Sequence, residues 1–152
     1  MIIRKRTIFV RMVVCILVMA LVMPIGVSAA MPETVAPMAS DYLMSYTAYI
    51  CAMGGGDLEI WFRVTGTGTQ EYLGTLTIYL YESTDNENWY WVKTYMDYDY
   101  DTMLGTNTYH HMNHVDYHGV AGRYYKAYVQ IWGGPADTGD TRYIWTEVER
   151  AT

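Results

Sequence analysis

The run Leu58-Glu59-Ile60-Trp61-Phe62-Arg63-Val64-Thr65 limits the fold more than any other stretch of the chain. Leu58, Ile60, Phe62 and Val64 occupy every second position, with Glu59, Trp61, Arg63 and Thr65 between them. Successive side chains of a strand leave opposite faces, so this period sets four apolar groups on one face and the polar ones on the other. A helix would scatter the same residues around its circumference. The segment is therefore expected to be a half-buried strand. Gly54-Gly55-Gly56 just ahead supplies the positive backbone angles of a tight turn, which makes residues 43–53 the hairpin partner. The string Gly66-Thr67-Gly68-Thr69-Gln70 is expected to close the strand.

The same period recurs along the chain. Leu76, Ile78 and Leu80 alternate with Thr75, Thr77, Tyr79 and Tyr81, and the polar turn Ser83-Thr84-Asp85-Asn86-Glu87-Asn88 leads into a strand from Trp89 to Tyr95. Further strands are expected over 106–117, over 123–132 after the Gly119-Val120-Ala121-Gly122 turn, and over 141–149. No helical period stands out in residues 41–152. Seven strands spaced roughly 10–15 residues apart and joined by Gly, Asp, Asn and Thr turns predict an all-β fold. Its expected form is a single antiparallel β-sandwich over residues 41–152.

The first thirty residues have a different character. Arg4, Lys5, Arg6 and Arg11 precede an apolar run over residues 12–27, which ends in Ser28, Ala29 and Ala30. This is the three-part layout of a secretory signal peptide with cleavage after Ala29 or Ala30, so the expected location is extracellular. The apolar run is 16 residues long and holds Pro24, short of the roughly 20 residues that a spanning helix needs. The expected contact with membrane is through an uncleaved signal peptide alone. Residues 31–40, with Pro32 and Pro37 among small residues, are expected to be a flexible leader. Residues 1–30 hold four of the ten basic residues and none of the sixteen acids. The rest then carries six against sixteen, a net of −10, which leaves no basic surplus for a nucleic-acid partner. Cys51 alone remains of the two cysteines, excluding an internal disulfide. Its neighbours Tyr49, Ile50 and Ala52 suggest a buried, inert thiol.

Two resemblances sharpen the fold class. In Gly122-Arg123-Tyr124-Tyr125-Lys126-Ala127-Tyr128-Val129-Gln130-Ile131 a glycine turn leads into Tyr125, with Ala127, Val129 and Ile131 on the same face. This resembles the tyrosine corner of immunoglobulin-like and fibronectin-type-III-like domains, and implies a phenol that pins the loop before the sixth strand. The frame formed by Tyr42-Leu43-Met44-Ser45-Tyr46, Val64-Thr65-Gly66-Thr67-Gly68-Thr69, Tyr81-Glu82-Ser83-Thr84-Asp85 and Tyr117-His118-Gly119-Val120-Ala121-Gly122 is similar to a family of small secreted Gram-positive bacterial proteins of unknown function. That resemblance implies secretion and the sandwich, and brings no activity and no site residues with it.

Candidate sites follow from which face each side chain takes. With Val115 and Tyr117 inward, period two puts His110, Met112, His114, Asp116 and His118 outward together. His114, Asp116 and His118 are then the expected metal ligands, with His110 too distant to join. Asp97-Tyr98-Asp99-Tyr100-Asp101 begins like a calcium loop but has Thr102 where that loop needs Gly and Thr108 where it needs Glu. The sixteen Tyr and five Trp all lie beyond residue 30. On the same parity, Tyr79, Tyr81, Tyr124, Tyr128, Trp132, Tyr143 and Trp145 should face outward on one sheet. Such a surface stacks on sugar rings or anchors a protein partner. The alternatives are an aromatic face that only pairs across strands, or one through which a structural envelope protein self-associates. Ser40, Ser45 and Ser83 lie in no nucleophile setting, and Glu147 with Glu149, or Glu82 with Asp85, fit solvated strand ends and turns. The expectation is a secreted non-enzymatic module that needs no cofactor and binds a glycan or a cell-surface or secreted protein.

Overall fold

The computed structural model describes residues 40–152; the expected signal peptide and all of the expected leader but Ser40 lie outside them. The described chain is all-β, with strands β1 Leu43–Gly54, β2 Asp57–Ser83, β3 Tyr90–Met96, β4 Leu104–His118, β5 Tyr124–Gly134, β6 Asp140–Trp145 and β7 Glu149–Arg150. All pairings are antiparallel and join one curled sheet.

β2 is its axis. The first part pairs with β1 on one edge (Tyr49 opposite Trp61) and with β4 on the other (Ile60 opposite Val115). The last part pairs with β5 (Tyr79 opposite Tyr128) and with β3 (Tyr79 opposite Thr94). β6 lies beyond β5, and β7 pairs with the start of β5.

The string Gly66-Thr67-Gly68-Thr69-Gln70 therefore does not close a strand, contrary to its turn-like composition. β4 keeps hold of β2 on both sides of it: Thr65 faces His110 and Gln70 faces Thr108, five residues along β2 against two along β4. The surplus is absorbed locally. The Thr67 amide donates to the Tyr42 carbonyl at 3.0 Å, the Thr67 hydroxyl to the Asp41 carbonyl at 2.7 Å, and the Gln70 side-chain amide to the Gly68 carbonyl at 3.1 Å. With those groups satisfied, the backbone bends and continues as strand. The last expected strand is corrected in the opposite sense: 141–149 is interrupted between β6 and β7. The Thr146 hydroxyl accepts the Ala127 amide at 2.9 Å, displacing a ladder bond, while the Thr146 amide still donates to the Ala127 carbonyl at 2.9 Å.

Both parts of β2 face one core. Leu58, Ile60, Phe62 and Val64 from the first part join Leu73, Ile78 and Leu80 from the last, with Val115 of β4 and Tyr125, Ala127, Val129 and Ile131 of β5. Tyr125 is fully buried, and its phenol oxygen accepts the Val120 amide at 2.8 Å, pinning the loop ahead of β5 as the glycine-turn pattern implies. The same hydroxyl donates to Glu82 Oε2 at 2.5 Å, and Arg123 pairs with Glu82 Oε1. Glu82, with 14% of its side chain exposed, is thus a sequestered partner and not the solvated turn carboxylate expected from its place before Ser83. Burial, then the hydrogen bond to Glu82, push the Tyr125 phenol up to about 12. The β2–β3 turn is closed by Asp85, which accepts the amides of Asn88 at 2.8 Å and Glu87 at 2.9 Å. Those bonds, Asn88 foremost, hold its carboxyl well below the usual carboxylate range.

Candidate functional site

The outer face formed by β3, the last part of β2, β5 and β6 carries most of the expected aromatic stripe. Along β5 every even position from Tyr124 to Trp132 is half-buried and the odd ones between are buried, so Tyr124, Tyr128 and Trp132 do point away from the core. Register then decides which rings meet. Tyr79 lies opposite Tyr128, and Tyr128 opposite Trp145. Tyr128 stacks on Tyr143 with centroids 5.5 Å apart and planes 11° apart, and packs on Trp145 at 4.7 Å. Tyr81 reaches the same indole at 5.4 Å. Tyr143 and Trp145 are the outermost, each 52% exposed.

Five of the seven expected residues, Tyr79, Tyr81, Tyr128, Tyr143 and Trp145, thus form one continuous surface. Tyr124 sits apart under the Arg150 guanidinium, 5.6 Å from the ring. Trp132, at the far end of β5, packs over Gly139 and lines a separate shallow cleft with Tyr72, Leu76 and Leu104.

Three residues of this face escape sequence reasoning. Lys126 shares the parity of Tyr128, and its ammonium lies 4.2 Å from the Trp89 ring and 4.9 Å from that of Trp145. The shift between Leu80 and Tyr81 in the β2–β3 register sets Trp91 opposite Tyr81, where strict alternation from buried Tyr95 would turn it inward. Trp91 is 62% exposed, its indole N–H donating to Thr94 Oγ1 at 2.9 Å. Trp89 precedes β3 instead of opening it. Only the parity of Lys126 is visible in the sequence.

The opposite part of the sheet, β1 with the first part of β2 and β4, presents the histidine face. Val115 is buried and Tyr117 packs against the core, so the outward set on β4 is the expected one. The structure divides the expected metal ligands. His114 Nε2 lies 3.6 Å from Asp116 Oδ1, whereas His118 Nδ1 turns to Asp57 Oδ1 at 2.6 Å. The third group beside His114 and Asp116 is Glu59, directly opposite Asp116 in the ladder. Ligand atoms of Glu59, His114 and Asp116 lie within 4.8 Å of one another. His110 contacts Thr65 Oγ1 at 3.2 Å, well along the strand.

Cys51 corrects the expectation of a buried thiol. Ile50 takes the inward position, 7% exposed, so alternation turns Cys51 outward and leaves it half-exposed, opposite Glu59. In the acidic loop, the amides of Asp99 and Tyr100 bond back to Met96 and Asp97 in a compact turn, and Tyr100 packs on Tyr95 with centroids 5.2 Å apart. Among the described residues, Asp97, Asp99 and Asp101 do not gather as a set of ligands. No family model, curated protein or solved structure matches the chain.

Proposed function

We propose that this chain is a secreted, non-enzymatic binding module that holds a saccharide against the aromatic face of Tyr79, Tyr81, Tyr128, Tyr143 and Trp145. The observation carrying this reading is that the stripe converges on half-exposed Tyr143 and Trp145. Aromatic rings on a strand scaffold offer large area at small entropic cost. Lys126, Thr94 and Gln130 stand among those rings and supply hydrogen-bonding groups for sugar hydroxyls.

The scaffold is read as an immunoglobulin-like sandwich in which the two parts of β2 serve as the second and third strands. Pairing of β1 and β4 with the first part, and of β3 and β5 with the last, fits that order, as does the loop pinned by Tyr125. Export rests on the basic, apolar and small-residue layout of residues 1–30, and kinship with the secreted Gram-positive family on the Tyr42–Tyr46 and Tyr117–Gly122 frames.

A glycan array followed by calorimetry on the best oligosaccharide tests the reading. Trp145→Ala and Tyr143→Ala should each weaken binding about tenfold, on the order of 1.4 kcal/mol. A protein that binds no oligosaccharide, or binds one equally well after both replacements, overturns it. Capture of a surface protein through the same face would move the assignment to a protein partner.

A further inference from the structure

On the face away from the aromatic stripe, we propose a divalent transition-metal site of the zinc type, formed by Glu59, His114 and Asp116. It is independent of the saccharide reading. Glu59 and Asp116 are direct cross-strand partners, and like charges placed opposite one another in a ladder are unfavourable unless a positive charge lies between them. The group within reach is His114, whose Nε2 stands 3.6 Å from Asp116 Oδ1. Around a tetrahedral zinc with ligand bonds of about 2.0–2.2 Å, two donor atoms lie roughly 3.4 Å apart, so this pair is close to ligating geometry already. The 4.8 Å bound on the full set leaves at most about 1.4 Å to be closed, within the reach of a small turn of the Glu59 carboxylate about its Trp61-bound oxygen.

The surroundings fix the donors as an outer shell does at metal sites. The Trp61 indole N–H donates to Glu59 Oε2 at 2.8 Å, which orients the carboxylate and leaves Oε1 for the ion. The same indole packs on the His114 ring at 4.4 Å, with Tyr49 stacked behind it at 6.4 Å. One imidazole and two carboxylates suit a borderline cation, and three protein ligands leave a position open. Glu59 and Asp116 also line a shallow cleft together with Met53, Asp57, Tyr117 and His118. His118 is engaged with Asp57 and is assigned to the cleft wall, not to the ligand set.

Calorimetric titration of the untagged protein with zinc chloride, and separately with copper chloride while tryptophan emission is followed, tests the site. One equivalent of zinc should bind in the micromolar range. Glu59→Gln and His114→Ala should each weaken it at least tenfold, and His118→Ala should leave it unchanged. Copper should quench an emission component that Trp61→Phe removes. Glu59→Gln conserves shape, so its loss of binding with an unchanged far-ultraviolet dichroism spectrum separates ligation from misfolding. Absence of binding, binding indifferent to Glu59→Gln, or binding abolished by His118→Ala overturns the proposal.

Discussion

Tyr125 shows how much a single phenol can carry. Its hydroxyl is held by an amide donor on one side and a sequestered carboxylate acceptor on the other, with the ring fully buried. Replacing it with Phe leaves the Val120 amide without its acceptor and Glu82 Oε2 without its donor, while Arg123 still holds Oε1, and a buried group left without its hydrogen bond costs about 1–3 kcal/mol. Urea denaturation at neutral pH should show a loss of that size for Tyr125→Phe. The alkaline limb of stability carries the same signature. The folded phenol titrates near 12 and the unfolded one near 10. The folded state therefore keeps its proton more tightly, and the contribution is complete below about pH 10 and lost as pH rises through 12. Stability of the native protein should fall across that window, and the fall should be shallower in Tyr125→Phe. Equal slopes would show that this phenol does not govern the limb. Tyr95, the most strongly raised of the phenols, and Tyr117 are raised as well, each chiefly by burial, and supply a remaining slope common to both proteins.

Among the elements, β2 departs furthest from what its sequence suggests. Side-chain period two assigns a face to each residue, and Leu58 through Val64, like Ala127, Val129 and Ile131, lie where that period puts them. It does not assign a partner. Glu59 meets Asp116, and Tyr128 meets Trp145, because of register, which is set by turns and bulges far from either residue. Hence the aromatic stripe is largely legible in the sequence, whereas the divided histidine set, the outward Trp91 and the Glu59 ligand are not. The bend at Gly66 is hidden because its small polar residues look like a terminator, while its actual role is to let a strand turn without losing its pairs. A side chain at Gly66 would place Cβ 2.7 Å from the Gly68 carbonyl oxygen, but one at Gly68 meets nothing within 4 Å. Gly66→Ala should destabilise the protein by about 1–3 kcal/mol. Gly68→Ala should be neutral or slightly stabilising through the unfolded chain. Similar denaturation midpoints for the two variants would show that the bend does not depend on close backbone approach.

For the molecule as a whole, stability should be graded outward from β2. A strand paired on both edges has a ladder partner for its amides on one side or the other, and those of Ile60, Phe62, Ile78 and Leu80 lie over the shared core. They should exchange with deuterium only on global unfolding, and the amides of β6 and β7, at the sheet margin, much sooner. Exchange mass spectrometry showing β2 no slower than β6 would contradict this layout. The central strand also sets the timing of folding. A chain emerging with its N-terminus first presents β1, β2 and β3 while β2 still has long unpaired edges, for β4 and β5 complete them only from residues 104–134. Contacts of such long sequence separation are slow to form, and the waiting strand is an exposed template for misassociation. The rate at which this protein reaches its native state should therefore follow the arrival of its last third, and a chain held back from that arrival should stay unfolded and threadable.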